Sequence, residues 1–528
     1  MSETVVGEMG MVTAPHRAAA EAGGEVLKAG GNAVEAMVAM AATIAVVYPH
    51  MNGIGGDVFA IVAEPGRAPK AIDASGAAGS LATLERYAKA GYDAIPMRGA
   101  DAALTVAGAV SGWIKALEIA AALGGRMPVA DLIGGAVRHA REGVPAPRSL
   151  ANAMAENREG LQSAPGFVAA FMPGGQPIEV NAILRQPRIA DTLDRLAHAG
   201  LDDFYRGDIA AELAADFGEI CMPLTRDDLR RHEARLATPL SLRLDDATLY
   251  NTPPPTQGVA SLIILGLFDR LGVKRAESFD HHHGLIEAAK RATIVRDAEV
   301  ADPALSGDLA PFLEPAWVDA EAMTIDRNRA APWPAAGQGG DTVWMGAIDA
   351  SGLAISFIQS IFWEFGSGVV SPRTGILWAN RGSCFSIDSG SRNALAPGKK
   401  PFHTLNPPFA RFDDGRTMVY GSMGGDGQPQ FQAQIFTRAA RFGMEVGDAL
   451  ALPRWRFGRV DGDETEVTME NRFDPDLVAA LERAGHSVLV LGDGYSDSMG
   501  HAGMIVRRAD GRLFGASDPR SDGAAIVG

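Results

Sequence analysis

Cysteine is almost missing from this 528-residue sequence, which has only Cys221 and Cys384, far apart along the chain. Two distant thiols provide neither a disulfide framework nor a cysteine-based metal site, and neither a metal nor a cofactor is expected. Basic runs and basic patches with interleaved aromatic residues are also absent, and the net charge is −16. Nucleic acid and anionic membranes are therefore not expected as partners.

Apolar segments long enough to cross a membrane are absent too. The longest apolar runs, Met37–Tyr48 and Val259–Phe268, have about half of the roughly 20 residues that a membrane-spanning helix needs. Residues 1–14 lack the cationic and then apolar pattern of a secretory signal. A hydrophobic content of 47% with 21% charged residues favours a folded chain with a large core. We therefore expect a soluble, cytoplasmic protein.

Helical patterns dominate the first two thirds of the chain, and strand patterns dominate the last third. The predicted helices are two within Ala18–Tyr48, then Asp131–Glu142, Leu150–Glu159, Ile189–Ala199, Ile209–Phe217, Val259–Leu271, Gly284–Asp297, Phe431–Phe442 and Pro475–Ala484. The predicted strands are Val58–Ala63, Leu240–Tyr250, Thr342–Asp349, Ala354–Gln359, Gly375–Trp378, Arg411–Phe412, Met418–Gly421, Thr465–Thr468, Ser487–Leu491 and Ala502–Arg507. This distribution predicts one layered α/β body.

The junction at Thr342 carries the strongest chemical signal. Ala320–Gly340 is rich in Ala, Pro, Gly and Gln and predicts a linker, and an apolar strand pattern follows it directly. If the chain were cut before Thr342, this residue would carry a nucleophilic hydroxyl and a basic α-amine together. A threonine at the start of a strand is also an ordinary β-forming or turn residue.

Three other motifs have both a chemical and a structural interpretation. Gly53–Gly56 could hold a phosphate, but a dinucleotide site needs strand, glycine loop and helix in that order, so a tight turn is favoured. His281–His283 suggests a metal, but consecutive helical side chains diverge, so a solvated helix start is favoured. The turn Ser422–Gly427 could present N–H groups to an oxyanion or simply join two strands of a hairpin.

Taken together and in order, these segments resemble the γ-glutamyltranspeptidase family of N-terminal-nucleophile hydrolases. The resemblance covers essentially the full length and rests on Gly30–Ala36, Pro49–Gly56, Pro253–Pro255, Asp302–Pro303, Phe365–Gly368, Gly375–Leu377 and Gly421–Gly425. It implies a four-layer αββα sandwich made as one proenzyme. The proenzyme would cut itself between Asp341 and Thr342 into a large chain, residues 1–341, and a small chain, residues 342–528, and the processed protomers would form a dimer.

The same resemblance implies the catalytic roles. Thr342 would be the nucleophile, and its free α-amine would be the base. Ser360, eighteen positions later, stands where the family usually has a threonine that orients the nucleophile. The backbone N–H groups of Gly424 and Gly425 would form the oxyanion hole.

The substrate-binding positions depart from the family pattern. Ser75 stands in the segment that carries the family's carboxylate-binding Arg, and Cys384 aligns with an Asp that holds a substrate α-amine. The other departures are Phe362 for an Asn, Arg381 for a Gln, and His403 and Thr404 for a pair of Ser. Each also has a structural alternative: a surface ion pair for Arg381, an inert buried thiol for Cys384, a turn cap for His403 and simple space filling for Ser75.

A site with a cation and no amine-binding carboxylate favours a small acid without an α-amino group, because an Arg fork binds a planar carboxylate through two bonds. These departures are similar to those of the family's oxamate amidohydrolase branch, which converts oxamate to oxalate and ammonia in purine-derived nitrogen recycling. Two alternatives remain open at this point: a γ-glutamyl transferase or glutathione hydrolase, and a non-maturing, non-catalytic scaffold.

Overall fold

Two seven-stranded β-sheets form the centre of the molecule, and helices pack on the outer face of each. The structure is a computed structural model that describes residues 3–333, 341–458 and 466–528. The resulting order of layers is α, β, β, α, so the predicted four-layer sandwich is confirmed.

The helices of the described residues are α1 Arg17–Lys28, α2 Ala33–Val47, α3 Leu84–Lys89, α4 Ala109–Ala122, α5 Val129–Glu142, α6 Arg148–Glu156, α7 Arg158–Gln162, α8 Phe167–Phe171, α9 Pro187–Ala199, α10 Asp203–Arg206, α11 Asp208–Ile220, α12 Arg226–Arg231, α13 Gly258–Leu271, α14 Phe279–Glu299, α15 Pro315–Ala322, α16 Gln428–Phe436, α17 Val446–Ala451 and α18 Pro475–Arg483.

The strands of the described residues are β1 Val5–Gly7, β2 Gly10–Ala14, β3 Asp57–Ala63, β4 Lys70–Ala74, β5 Val144–Pro145, β6 Ile183–Leu184, β7 Arg235–Ala237, β8 Leu240–Arg243, β9 Ala247–Asn251, β10 Asp341–Asp349, β11 Ala354–Phe362, β12 Phe409–Phe412, β13 Thr417–Ser422, β14 Trp455–Gly458, β15 Glu466–Met469, β16 Val488–Val490, β17 Ala502–Arg507, β18 Leu513–Ser517 and β19 Ala524–Val527.

Both large sheets interleave strands from the two sides of Thr342. The first sheet has the order β1-β18-β17-β13-β12-β9-β8, so four later strands lie between earlier ones. The second has the order β19-β2-β10-β11-β3-β4-β7, in which β2 lies between two later strands. The two regions 1–341 and 342–528 therefore share both sheets rather than forming separate lobes.

Among the described residues, three of the apolar core clusters form stacked layers. The layer between the sheets contains Phe59, Trp344, Ile358 and Phe409 among its buried side chains. On one outer face, every residue of α2 is buried, as its uninterrupted apolar sequence predicts, and Asn32 and Glu35 form a capping box at its start. On the other, α13 and α14 pack against the first sheet.

Most predicted elements are confirmed, and two strands are wrong. Leu240–Tyr250 is a hairpin, β8 and β9, because the adjacent Asp245 and Asp246 favour a turn in its middle. Gly375–Trp378 forms isolated bridges only, and the +72° φ of Gly375 bends the chain at its start. The end of the predicted linker, residues 334–340, and Thr465 lie outside the described residues.

The three consecutive histidines correct a third expectation. His281, His282 and His283 are fully or almost fully buried in α14, not solvated at its start. Their ring nitrogens contact groups from other elements: Thr437 Oγ1 at 2.9 Å, Trp455 Nε1 at 3.0 Å and the Asp326 carbonyl at 2.8 Å. Partners this distant in sequence leave no local pattern.

Within the described residues, no helix is both long enough and apolar enough to span a membrane.

Candidate active site

Thr342 lies at a break in the pairing of the central sheet. It is the second residue of β10, its side chain is buried, and the register with β11 shifts between Asp341 and Val343. Such a bulge re-aims a side chain locally. The Thr342 Oγ1 hydroxyl donates a hydrogen bond to Ser360 Oγ at 3.1 Å. The predicted nucleophile and the predicted orienting hydroxyl are therefore in direct contact.

Ser360 connects this contact to a strained residue. Its Oγ accepts the Phe362 N–H at 2.8 Å, and the φ of Phe362 is +81°, a value that bulky side chains rarely adopt. Strain of this kind is concentrated at functional sites. Here the strained residue brings its ring under Arg381, whose guanidinium carbon lies 3.8 Å from the ring centroid.

Arg381 is the unusual charge of the site. It is buried, and its Nη1 donates to Thr404 Oγ1 at 3.2 Å and lies 3.7 Å from Cys384 Sγ. Within the described part of the chain, its Nε and Nη2 meet no acceptor, and no carboxylate forms a direct ion pair with it, although Asp57 and Asp426 act from a distance against the burial that lowers its pKa. Nε and Nη2 share the guanidinium edge that grips a carboxylate through two parallel bonds. The surface ion pair considered for Arg381 is therefore wrong.

Burial governs the ionisation of this cluster. It lowers the pKa of Arg381 and raises the pKa of the Cys384 thiol, although the adjacent guanidinium opposes the second shift. A thiol with a raised pKa is a poor nucleophile. Cys384 is partly exposed, but its raised pKa favours the alternative of an inert thiol.

The turn at Gly424 and Gly425 joins a strand to a helix. It follows β13 and leads through a 3₁₀ turn into α16, so the hairpin considered for this segment is wrong. The φ of Gly424 is +121°, and a Cβ there would lie 2.6 Å from the Phe431 ring, so only glycine fits. Neither amide has an acceptor among the described residues, which leaves both N–H groups available to an oxyanion.

Asp57 and His403 form a buried pair that the sequence did not reveal as a unit. His403 Nε2 lies 3.1 Å from Asp57 Oδ2, and the Gly76 N–H donates to Asp57 Oδ1 at 2.8 Å. The Leu405 N–H points at His403 Nδ1, so Nε2 carries the ring proton. Burial, followed by Arg381, lowers the pKa of His403 well below its usual value. The imidazole is thus neutral and donates to the carboxyl group.

Asp57 itself titrates near neutrality. Burial raises the pKa of its carboxyl group to about 7, while the Gly76 hydrogen bond and Arg381 act in the opposite direction. Asp57 is also the cross-strand neighbour of Ser360. A charged residue at the head of an otherwise apolar strand was the one sequence signal that pointed to it. The contact with Asp57 gives His403 an interaction beyond the turn cap that was considered for it.

Ser75 forms its side-chain hydrogen bond with Asp73 rather than with the guanidinium of Arg381. It is buried, its Oγ donates to Asp73 Oδ1 at 2.7 Å, and the other Asp73 oxygen accepts Lys400 Nζ at 2.7 Å. Ser75 and Lys400 line a cavity of about 940 Å³, and neither Thr342 nor Arg381 is among the described residues of its wall. The substrate-binding role of Ser75 stays a prediction.

A second cleft borders the turn at Gly424 and Gly425. It has a volume of about 740 Å³, and Gly424, Trp363 and Arg456 are among its lining residues. Its acidic side chains include Glu156 and Glu364, and burial, followed by the neighbouring Glu364, raises the pKa of Glu156.

Two histidine–glutamate groups have the residue types of a metal site. Glu277 with His281 and His282, and Glu287 with His283 and His486, bring ligand atoms close together within the described residues. However, Arg438 grips both oxygens of Glu277, at 2.7 and 2.9 Å, and Lys290 binds Glu287 at 2.7 Å. A fixed protein cation already balances each carboxylate, so these groups favour structural roles.

The whole chain matches known proteins. A family model described as gamma-glutamyltranspeptidase matches residues 19–528. The chain is 51% identical over 528 residues to the oxamate amidohydrolase proenzyme of Klebsiella pneumoniae, covering 99% of each protein. It is 28% identical to the glutathione hydrolase proenzyme of Escherichia coli, covering 97% of this chain and 91% of that protein.

The fold also has a close structural counterpart. A crystal structure of cephalosporin acylase from Bacillus halodurans superposes with a TM-score of 0.90 at 32% identity, covering 100% of this chain and 97% of the acylase. Proteins similar to this chain thus include hydrolases of different amides on one fold, so the substrate must be argued from the side chains of the site.

Proposed function

This chain belongs to the gamma-glutamyltranspeptidase family of N-terminal-nucleophile hydrolases, and we propose that it cuts itself before Thr342 and hydrolyses oxamate to oxalate and ammonia. The amidohydrolase class follows from the family and its relatives. The cut and the substrate are the proposal.

The edge of the Arg381 guanidinium formed by Nε and Nη2, which has no acceptor among the described residues, is the observation that supports oxamate as the substrate. A buried cation without a directly paired carboxylate is costly unless a ligand supplies one, and a planar carboxylate fits the free Nε and Nη2. The Phe362 ring covers one face of the guanidinium, while Cys384 occupies the position where an amine-binding carboxylate would be needed. A small carboxylate without an α-amino group meets these conditions, and oxamate is such an acid.

The proposed reaction follows from the contacts of Thr342. Its α-amine, freed by the cut, accepts the Oγ proton directly or through a water, and Oγ attacks the amide carbonyl. The N–H groups of Gly424 and Gly425 stabilise the oxyanion. The C–N bond breaks, the amine returns the proton and ammonia leaves. Water then hydrolyses the oxalyl ester on Oγ, which releases oxalate and restores the hydroxyl group.

Ammonia release from a panel of amides tests this proposal. We expect rapid release from oxamate, little from glutamine, and two bands in place of full-length protein on a denaturing gel. Thr342→Ala is expected to stay uncut and inactive, while Thr342→Ser, which keeps a hydroxyl, should retain part of both activities.

Other results would point elsewhere. Release of p-nitroaniline from a γ-glutamyl anilide, stimulated by glycylglycine and without activity on oxamate, would favour the γ-glutamyl transferase. A single full-length band after long incubation, with no activity on any amide, would favour the non-maturing scaffold.

A further inference from the structure

A buried glutamine joins the two halves of the proposed site. Gln257 follows the segment Pro253–Thr256 and precedes α13, and it is fully buried. Its backbone N–H donates to the carbonyl of His403 at 3.0 Å. This bond fixes the backbone of Gln257 to His403, the neighbour of Thr404, which contacts Arg381. In sequence, Gln257 is far from all of the predicted site residues.

The side chain of Gln257 uses all of its hydrogen-bonding groups. Nε2 donates to the Thr404 carbonyl at 2.7 Å and to the Gly425 carbonyl at 2.9 Å, and Oε1 accepts Arg296 Nη1 at 3.1 Å. An amide is the one side-chain group that offers two donors and an acceptor in a single plane. A carboxylate here would face two carbonyl oxygens, and an apolar side chain would leave both carbonyls without this donor.

The two carbonyls that Gln257 holds belong to different parts of the site. Thr404 positions the guanidinium, since its hydroxyl accepts Arg381 Nη1. Gly425 carries one of the two proposed oxyanion amides. The guanidinium of Arg296 strengthens the connection, because it binds Gln257 and also pairs with Asp426 at 3.3 Å, in the same turn.

This arrangement fixes a distance that the substrate must match. In a carboxylate-bearing amide, the guanidinium holds the carboxylate and the oxyanion amides hold the carbonyl oxygen of the scissile bond. The number of carbons between those two groups sets their separation. A rigid connection between the two binding elements therefore favours one acyl length over others.

We propose that Gln257 is a positioning residue that sets the spacing between the Arg381 guanidinium and the Gly425 turn and thereby selects the length of the acyl group. This inference rests on the proposed function of the same site. It adds a residue and a selectivity that Arg381 alone does not supply, because a single guanidinium binds short and long carboxylates alike.

The test compares oxamate with malonamate and succinamate, which insert one and two methylene groups. The variants are Gln257→Met, which keeps the volume without the hydrogen bonds, and Gln257→Glu, which keeps the pairing with Arg296. A displacement of about 1 Å costs on the order of a hundredfold in rate, so kcat for oxamate should fall steeply and KM much less. Turnover of malonamate should fall less, which lowers the oxamate-to-malonamate ratio of kcat/KM by about tenfold or more.

The matched control is Gln434→Met. Gln434 is equally buried, and its side chain bonds both the carbonyl and the N–H of Trp455. It lies outside the contacts of Arg381. A general loss of folded enzyme lowers the activity on all three substrates by the same factor and leaves their ratios unchanged. This is the expected result for Gln434→Met. An unchanged ratio in folded Gln257 variants would overturn the inference.

Two safeguards separate the possible failures. If neither Gln257 variant folds, Arg296→Met, which loosens Gln257 without removing it, should lower the same ratio, and an unchanged ratio there would also overturn the inference. If the wild-type enzyme releases no ammonia from oxamate, the proposed function has failed. If it does so and the ratio is insensitive to Gln257, only the positioning role has failed.

Discussion

Two buried arginine regions of this molecule have opposite surroundings. Arg520 lies in a closed network, where it binds Glu470 and Asp518, and Asp518 also binds Arg454. Burial alone would lower the pKa of Arg520, but these carboxylates raise it. Arg381 is equally enclosed, but no carboxylate of the described chain pairs with it, and burial lowers its pKa. The structural arginine is directly paired with carboxylates of the chain, whereas in the proposed function the substrate supplies the partner of Arg381.

Removing the open arginine should give the largest effect on activity. Hydrogen bonds to charged groups contribute about 1.5–3 kcal/mol each, so loss of two bonds in Arg381→Met should lower kcat/KM for oxamate by about two to four orders of magnitude. Steady-state ammonia release measures this loss. The urea midpoint should stay the same or rise, because an uncompensated buried charge is gone.

Arg381→Lys refines the same prediction. It keeps the charge and loses the fork, so part of the activity on oxamate should return. If Arg381→Met instead lowered the urea midpoint strongly, Arg381 would belong with the structural arginines and the comparison would fail.

Opening the closed network should act on stability instead. Asp518→Asn leaves Arg454 and Arg520 without one of their carboxylates, and breaking a buried pair costs about 3–5 kcal/mol. Urea unfolding should show this loss, while kcat per folded molecule changes little. Asp510→Asn is the control, because the Asp510–Arg512 pair is about half exposed and such pairs contribute only about 0–1 kcal/mol.

The smallest expected effect concerns pH. The pKa of Asp57 is raised to about 7, so the carboxyl group is neutral below that pH and ionised above it. An ionised Asp57 partly neutralises the field of Arg381, which weakens the binding of an anion. KM for oxamate should therefore rise about two- to fivefold as pH increases through 7, or about 0.5–1 kcal/mol. Asp57→Asn should remove this rise, and a persisting rise would exclude Asp57 as its source.

Family resemblance predicted that Ser360 orients Thr342, and the structure gives their contact a local reason. β10 and β11 form an antiparallel hairpin around Ser351, and both residues lie nine positions from it. Residues equally distant from the turn of a hairpin face each other. Family resemblance supplied the pairing and the roles, and the hairpin register explains why a spacing of 18 positions brings the two hydroxyls together.

Sequence patterns could not predict the contacts across the layers. Asp57 and His403 are separated by 346 positions, and Gln257 and Gly425 by 168. No periodicity links residues that meet only when two sheets stack. The buried histidines of α14 were missed for the same reason, since their partners come from other elements and their polarity alone predicted exposure.

The interleaved sheets have a consequence for the lifetime of the processed enzyme. If the chain is cut between Asp341 and Thr342, four strands of the small product lie between strands of the large one in the first sheet, and in the second sheet each product has a strand between strands of the other. The cut would then remove the covalent connection without opening a route for separation. Once unfolded, the two products would have to find each other before either sheet could re-form. The working life of the enzyme would thus depend on how slowly it unfolds rather than on a reversible equilibrium.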